Sequence, residues 1–503
     1  MSYIVKQKDI EVLLQSNKTL FYKLELLNED LKVIDVIEGN LINDNLSIDA
    51  NSDIRRTYSC ELFVENRTFD IGYDKRIWNN KRIRPYIGIL HNRSQEVVWY
   101  LIGTFLFTDT NFMFNETNKT LSVTCNDMMC LLNGTMGGNL SNYKRTIKKG
   151  TDSRAIIIEL LKEVGITKYF IEFNLNNDLI SSFEIPYDMV YNAGMNAYQI
   201  IKEIVDLYPG TEMYFSKDGT FMIDAMPTRE NEPFILNDDI LKPILIDEQL
   251  STSLKDIYNH IEIWGKINEP EYYSSEVTCT DNIYHVHLIV HKLNEDTGEY
   301  SEIEFAEEIN NFETFCLLIP ETNKSTQYIN INNIGNVLIV DDEGKPLQEN
   351  YLNAGRDNVF RYRKEDNTFI FVGEYQVHSE LYLTNNITDT NQNAVIDINN
   401  EHSIEKIGDK LKVLSGGDFD KIPTTGLCRD RCKYELYNAT NRQTNLSLQT
   451  LYIPFIDVNQ IIEFTSNLNN KKEKYLINTI NCNFSNFTAN ITANKYYADY
   501  IGS

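Results

Sequence analysis

The chain has 503 residues with 73 acidic against 47 basic side chains, and its net charge of −26 speaks against a protein that grips nucleic acid by neutralising phosphates. Hydrophobic residues make up 42% and aromatic residues 11%, which excludes a disordered tail, and the length suits roughly three or four domains with cores of their own. No segment reaches the ~20 apolar residues that cross a bilayer, so membrane insertion is not expected, and abundant Tyr, Asn and Thr against few Pro favour many strands joined by polar turns.

In chain order, Met1-Ser-Tyr-Ile-Val-Lys-Gln-Lys lacks the apolar core of a signal peptide, and folding in a cytosol is expected. Residues 1 to about 145 read as strands. Tyr58, Cys60, Leu62 and Val64 form one apolar face, while Leu121, Val123 and Cys125 alternate with Ser122, Thr124 and Asn126. The run Val97-Val-Trp-Tyr-Leu-Ile does not alternate and is expected to be buried on both faces. After the basic stretch from Lys144, a helix is signalled by Asp152 or Ser153 as cap and by Ile156, Ile157, Leu160, Leu161 and Val164 on one face, ending near Gly165. A second helix begins about Asn196, turns Ala197, Ile200, Ile201, Ile204, Val205 and Tyr208 inward, and stops at Pro209-Gly210. A hairpin follows, around Asp218-Gly219.

Residues 236–265 are expected to return to the first domain through the strand Asn259-His-Ile-Glu-Ile-Trp-Gly. Residues 266–400 read as an inserted β-rich module with loops at Asp342-Glu-Gly-Lys-Pro, Asn353-Ala-Gly and Lys364-Glu-Asp-Asn. The remainder, 401–503, opens with a short helix at Ser403-Ile-Glu-Lys-Ile-Gly and a longer one from about Pro423 to Thr440. It closes with strands, in the last of which Phe487, Ala489, Ile491 and Ala493 alternate with Thr488, Asn490, Thr492 and Asn494.

Motifs for chemistry are mostly missing: there is no His-Glu-x-x-His helix, Gly-x-Ser-x-Gly elbow, Walker-type loop or Gly-x-Gly-x-x-Gly turn. No catalytic residue, cofactor or firm metal site is assigned. The weak metal candidate is His285, His287 and His291 on one face of a strand, weighed against plain solvent-facing imidazoles. Cys428 and Cys432 share a helix face without a second pair nearby, and all eight cysteines are expected to be reduced, mostly packed thiols. Carboxylate pairs for glycoside hydrolysis occur everywhere by chance among 73 acidic residues. The basic cluster Lys75, Arg76, Lys81, Arg82 and Arg84 with Trp78, and Arg55-Arg56 upstream, are candidates for contact with a neighbouring subunit, against the simpler reading of a solvated loop.

The succession Asp53-Ile-Arg-Arg-Thr, Asp70-Ile-Gly to Trp78, Arg82-Ile-Arg-Pro-Tyr-Ile-Gly, Trp99-Tyr-Leu-Ile-Gly-Thr-Phe and Leu121-Ser-Val-Thr-Cys-Asn-Asp resembles the first β-domain of tailed-phage baseplate hub proteins. The helix, gap, helix, Asp-Gly hairpin order resembles their small α/β domain, and the closing strands resemble their second tube-like domain. The resemblance covers 50–265 and 400–503 and is fainter over 1–50 and 266–400. It implies an α+β, predominantly β, multidomain chain: a tube-like β-barrel or sandwich domain at 1–145 continued by 236–265, a small α/β domain at 146–235, the inserted module at 266–400 and a second tube-like domain at 401–503. By that resemblance the protein is a virion structural protein of the tail baseplate. It would form a homotrimeric ring between the tail tube or distal tail protein and the central spike or tail-tip lysin, with the tape measure protein as a further partner and DNA only in transit. Other classes kept open are a tail-associated peptidoglycan hydrolase and a carbohydrate-binding tail protein using exposed tyrosines of 266–400; the absence of a long extension after Ser503 counts against a large host-binding appendage.

Overall fold

The computed structural model describes residues 5–496 apart from 39–40, 64–70, 74, 115–118, 141–144, 149, 174–182, 184, 186–188, 209, 227–234, 268–269, 294–299, 305–308, 342–343, 353, 418, 423–424 and 442–443. The readings placed on Val64, Asp70, Lys144, Pro209, Asp342, Asn353 and Pro423 lie outside the described residues. The chain is predominantly β and divides into two compact units, Met1–Tyr258 with Lys433–Ser503, and Asn259–Cys432.

In the first unit the alternating segments assemble into a 14-stranded sheet. Its main path runs Leu245–Thr252, Thr444–Leu451, Thr488–Lys495, Lys472–Asn483, Leu41–Asp49, Arg56–Phe63, Lys119–Asp127 and Phe105–Phe114, each antiparallel to the next, and continues through Arg82–Leu90 and Leu20–Leu27 to Val33–Glu38. The two distant parts of the chain join where Leu46 faces Cys482 and Ile48 faces Ile480. Because side chains alternate across a pleated strand, Leu46, Tyr58, Val123, Cys125, Ile480 and Ile491 all enter one core. Each fully buried aliphatic side chain of this kind contributes about 1.5–3 kcal/mol relative to exposure. Val97–Leu101 departs from the expected double burial: Tyr100 is buried but Trp99 is 39% exposed. The strand pairs only with Arg82–Leu90 among the described residues, and solvent covers its other face.

A second core in this unit belongs to two helices and a small sheet. Helix Ser153–Glu163 starts where Asp152 Oδ1 accepts from the Ala155 N–H at 2.9 Å, and Gly165 with φ 80° follows its end. Helix Ala197–Val205 is closed at its start by the reciprocal box of Asn196 and Gln199. Ile157, Leu160, Leu161, Ile200, Ile201 and Ile204 are fully buried in the core shared with the three-stranded sheet of Tyr169–Ile171, Phe221–Ala225 and Thr211–Phe215. Asp218-Gly219 makes the turn between the last two, with Gly219 at φ 81°.

Gly138 fixes how the segment before this lobe meets the second helix. Its carbonyl accepts from the Ala197 N–H at 2.8 Å, its φ is 86°, and a Cβ there would lie 2.3 Å from the Leu132 carbonyl oxygen. Gly138→Ala is expected to lower stability by at least about 2 kcal/mol. Gly150→Ala, at φ 79° with nothing within 4 Å of the added carbon, is expected to lose only about 1 kcal/mol, and thermal unfolding of the two variants side by side checks the contrast.

In the second unit an eight-stranded sheet runs Tyr272–Ser274, Thr314–Leu318, Asp357–Arg363, Thr368–Glu374, Val337–Val340, Tyr328–Ile331, Ile283–Val286, Val277–Thr280. Only Ser275 and Glu276 separate its first and last strands in sequence, so the sheet curls back towards itself around Tyr284, Phe315, Ile329, Ile339, Phe360 and Phe369. The expected loop at Lys364 is the hairpin turn between Asp357–Arg363 and Thr368–Glu374. The strand His260–Ile267, which the sequence reading returns to the first domain, lies in this unit, between Gln376–Thr384 and Leu411–Leu414. Helix Thr425–Asn441 brings Cys428 and Cys432 to that sheet, where their thiols donate to the carbonyls of Ile263 and Ser379, both at 3.2 Å.

Candidate functional site

The predicted basic residues part company in the folded chain. Arg55 and Arg56 are 5% and 1% exposed. Arg55 pairs with Glu212 at 2.6 Å and lies over the Tyr214 ring at 4.0 Å. Arg56 donates to the Phe215 carbonyl and to the Asp457 carboxylate. Arg84 donates to Thr104 Oγ1 at 3.0 Å and to the Asp218 carbonyl at 2.8 Å. Arg76 pairs with Asp35 at 2.7 Å, Arg82 is buried, and Lys75 and Trp78 face solvent.

The two buried arginines and their partly exposed carboxylate partners form a node that sequence reading missed. Lys217, at the tip of the Asp-Gly hairpin, donates to the carbonyls of Pro454 and Ile456 at 3.1 and 3.2 Å, and Asn459 donates to Glu212. Burial pushes the Asp457 carboxyl up, but Arg56, Lys217 and Arg55 beside it pull harder and hold it below the usual carboxylate range. Burial lowers the Lys217 ammonium. Three stretches distant in sequence, the start of Arg56–Phe63, the hairpin tip and the loop at 454–459, are thereby clamped together by charge. Nearby in the same core, Asp44 is 3% exposed and accepts from the Tyr58 hydroxyl at 2.9 Å. Burial raises its carboxyl to about 7, against the lowering effect of that hydrogen bond.

The opposite face of the same strands has another chemistry. One register row crosses six strands as Gln449, Asn490, Asn481, Ser47, Thr57 and Asn126. The neighbouring row runs Thr488, Asn483, Asn45, Ser59, Thr124. These side chains are exposed or half-buried, and some bond across strands, as Ser47 to Asn481 at 2.7 Å and Thr479 to Thr492 at 2.6 Å. Over these rows and those on either side, from Leu245–Thr252 to Phe105–Phe114, the charged residues are Asp49, Glu61, Asp109 and Asp247, with Arg55 opposite Asp49 and paired with Glu212. The signal was present in the sequence as the polar half of each alternating strand, which consists of amides and hydroxyls rather than the usual mixed charges.

The three histidines do not share a continuous strand. His285 lies in Ile283–Val286, opposite Thr278 and Asn330. His287 follows its end, with Nδ1 2.7 Å from Glu276 Oε2. His291 belongs to Ile289–Leu293, a separate strand. The break comes at Leu288, which turns into the core and exchanges backbone bonds with the Asn332 side chain at 2.9 and 2.8 Å. Among the described residues no group of three His, Cys, Asp or Glu is placed to hold a metal ion. The eight cysteines are free thiols, all buried except the half-buried Cys279.

Residues 399–500 match a family model described as a domain of unknown function, DUF5048. No curated protein matches the chain in sequence. Among solved structures it is similar to the 43 kDa tail protein of prophage MuSo2 from Shewanella oneidensis, with 9% identity over 94% of this chain and 98% of that one and a TM-score of 0.48. It is likewise similar to a tail protein from Neisseria meningitidis MC58, with 6% identity over 96% and 98% and a TM-score of 0.48. A third is prophage tail protein gp18 from Listeria monocytogenes EGD-e, with 8% identity over 95% and 96% and a TM-score of 0.43.

Proposed function

We propose that this chain is a structural protein of a phage tail or phage-tail-like particle, a baseplate hub that assembles as a homotrimeric ring. The observation that carries the reading is the sheet that residues 41–127 share with residues 245–252 and 444–495. It places a four-strand segment from one part of the chain beside a four-strand segment from the other. At its ends the outer edge of Leu245–Thr252 and the outer edge of Phe105–Phe114 beyond Leu106 have no strand partner among the described residues. Long unpaired edges invite uncontrolled pairing unless something covers them. Head-to-tail closure of three copies covers both at once, and it presents six like segments to a sixfold partner. The resemblance of element order noted above supports the same architecture, with the tail tube or distal tail protein on one side and the central spike or tail-tip lysin on the other. Lys75 and Trp78, the members of the basic cluster that face solvent, are the proposed contacts with such a partner, and the mechanism is assembly and conduction without a covalent step.

Light scattering of the purified protein with negative-stain imaging of the same fractions tests this. The expected result is a ring of three 58.5 kDa chains with a central opening. A compact monomer that stays monomeric in the presence of a tail tube would sink the reading.

A further inference from the structure

We propose that Arg82 anchors a carboxylate supplied from outside the chain, an acidic side chain on the protein that meets the adjoining loop at Lys75 and Trp78. That the donor is another tail protein depends on the function proposed above; the anion site itself stands on Arg82. Among the described residues three arginines are buried, and two of them hold carboxylates, Arg55 that of Glu212 and Arg56 that of Asp457. Arg82 is 7% exposed, and its Nε and Nη1 are buried and donate to nothing among the described residues. It opens the strand Arg82–Leu90 between Leu27 on one side and Leu106 on the other, both fully buried. Glu29, in the turn that follows Leu27, is exposed and forms no ion pair with it. Burial lowers the pKa of the guanidinium, and the charge of Glu29 offsets this only in part. A buried cation without a partner is costly, and an apolar side chain would fill the same place without that cost, so the arginine has its reason in a ligand. Its planar fork fits the two oxygens of a carboxylate. Asn80, two residues upstream, has a buried Oδ1 without a donor, which suits a polypeptide N–H and disfavours the further oxygens of a phosphate. Tyr73 and Trp78, on the loop that leads into Arg82, are exposed, and Trp, Tyr and Arg are the types that dominate protein interfaces.

The test follows thermal unfolding of the full chain in sodium acetate, sodium phosphate and sodium chloride at equal ionic strength, for the wild type, Arg82→Met, Arg82→Lys and Glu29→Gln. Acetate at about ten times its Kd is expected to raise the wild-type midpoint over chloride by roughly 1–2 °C. Glu29→Gln should show at least as large a rise, because no carboxylate of the chain's own competes. Arg82→Met should show none. Arg82→Lys, which keeps the charge and the stem but loses the fork, should lose most of the rise and serves if the methionine variant does not fold. No rise in the wild type, or an equal rise in the wild type and the Arg82 variants, overturns the site. A rise that weakens in Glu29→Gln does so too. Phosphate acting more strongly than acetate overturns the choice of a carboxylate. Light scattering of the same samples separates the two levels. An acetate response in a chain that stays monomeric beside a tail tube keeps the anion site and removes the tail protein as donor, whereas a ring without a response fails the site alone.

Discussion

Replacing Arg56 by Ala is expected to lower the unfolding free energy of the first unit by about 3 kcal/mol, because it removes a fully buried guanidinium and leaves the Asp457 carboxylate, itself 23% exposed, without its main compensating charge. Arg56 is 1% exposed and binds both the Phe215 carbonyl and Asp457. Without it, Asp457 keeps Lys217 and, with a smaller effect, Arg55 as compensating charge. Asp457→Leu alone should be nearly as harmful, since it leaves the guanidinium unpaired. The double variant Arg56→Met with Asp457→Leu should recover much of the loss, because replacing both members of a buried pair by apolar groups removes the desolvation penalty along with the attraction. Urea unfolding of these proteins together with Arg56→Met alone closes the cycle and gives the coupling. Additive losses in the double variant would show that the two side chains act independently.

The pH dependence of stability is expected to carry the mark of Asp44. Its carboxyl titrates at about 7 in the folded chain, raised by burial, and near ~3.9 when unfolded. Between these values the native state holds a proton that the unfolded chain has released. Stability from this group is therefore present below the unfolded value and is lost as pH rises towards about 7. A difference of this size corresponds to about 4 kcal/mol. Asp44→Asn keeps an acceptor for the Tyr58 hydroxyl and cannot ionise, so the variant should gain on the wild type steadily from mildly acid to neutral pH. Asp127 and Asp224 are also raised by burial and remain in both proteins, which makes the difference between the two curves, rather than either slope, the quantity to read. Parallel curves would show that Asp44 does not titrate in this window.

The parts of the fold that could be read in advance are those whose causes are local. The strands around Leu121 and Ile491 show their period of two because one face is buried and the other wet, and the helices at Ser153 and Ala197 announce themselves through caps and an apolar stripe. What failed to show depends on partners far along the chain. Arg55 and Arg56 look like surface charge in a sequence window, yet Glu212 and Asp457, 157 and 401 residues away, draw them inside. The strand at His260 reads equally well in either unit until its neighbours at Gln376–Thr384 and Leu411–Leu414 are known. Val97–Leu101 lacks alternation because it is an outer hairpin strand with Trp99 in solvent, and the same lack would mark a strand buried on both sides. The histidine strand is interrupted by Leu288, an apolar residue that no local pattern distinguishes from its neighbours.

The pairing of Leu41–Asp49 with Lys472–Asn483 also bears on how the protein is made. A ribosome delivers the first of these strands hundreds of residues before the second, and during that interval an apolar edge with Leu46 and Ile48 waits without its neighbour. The hairpin lobe and the Asn259–Cys432 unit, built from contacts closer in sequence, are free to settle during the wait, while the large sheet cannot close until Lys472–Asn483 has been made. Chains cut short before Lys472 would then carry an exposed half-sheet and be left to aggregation and proteolysis.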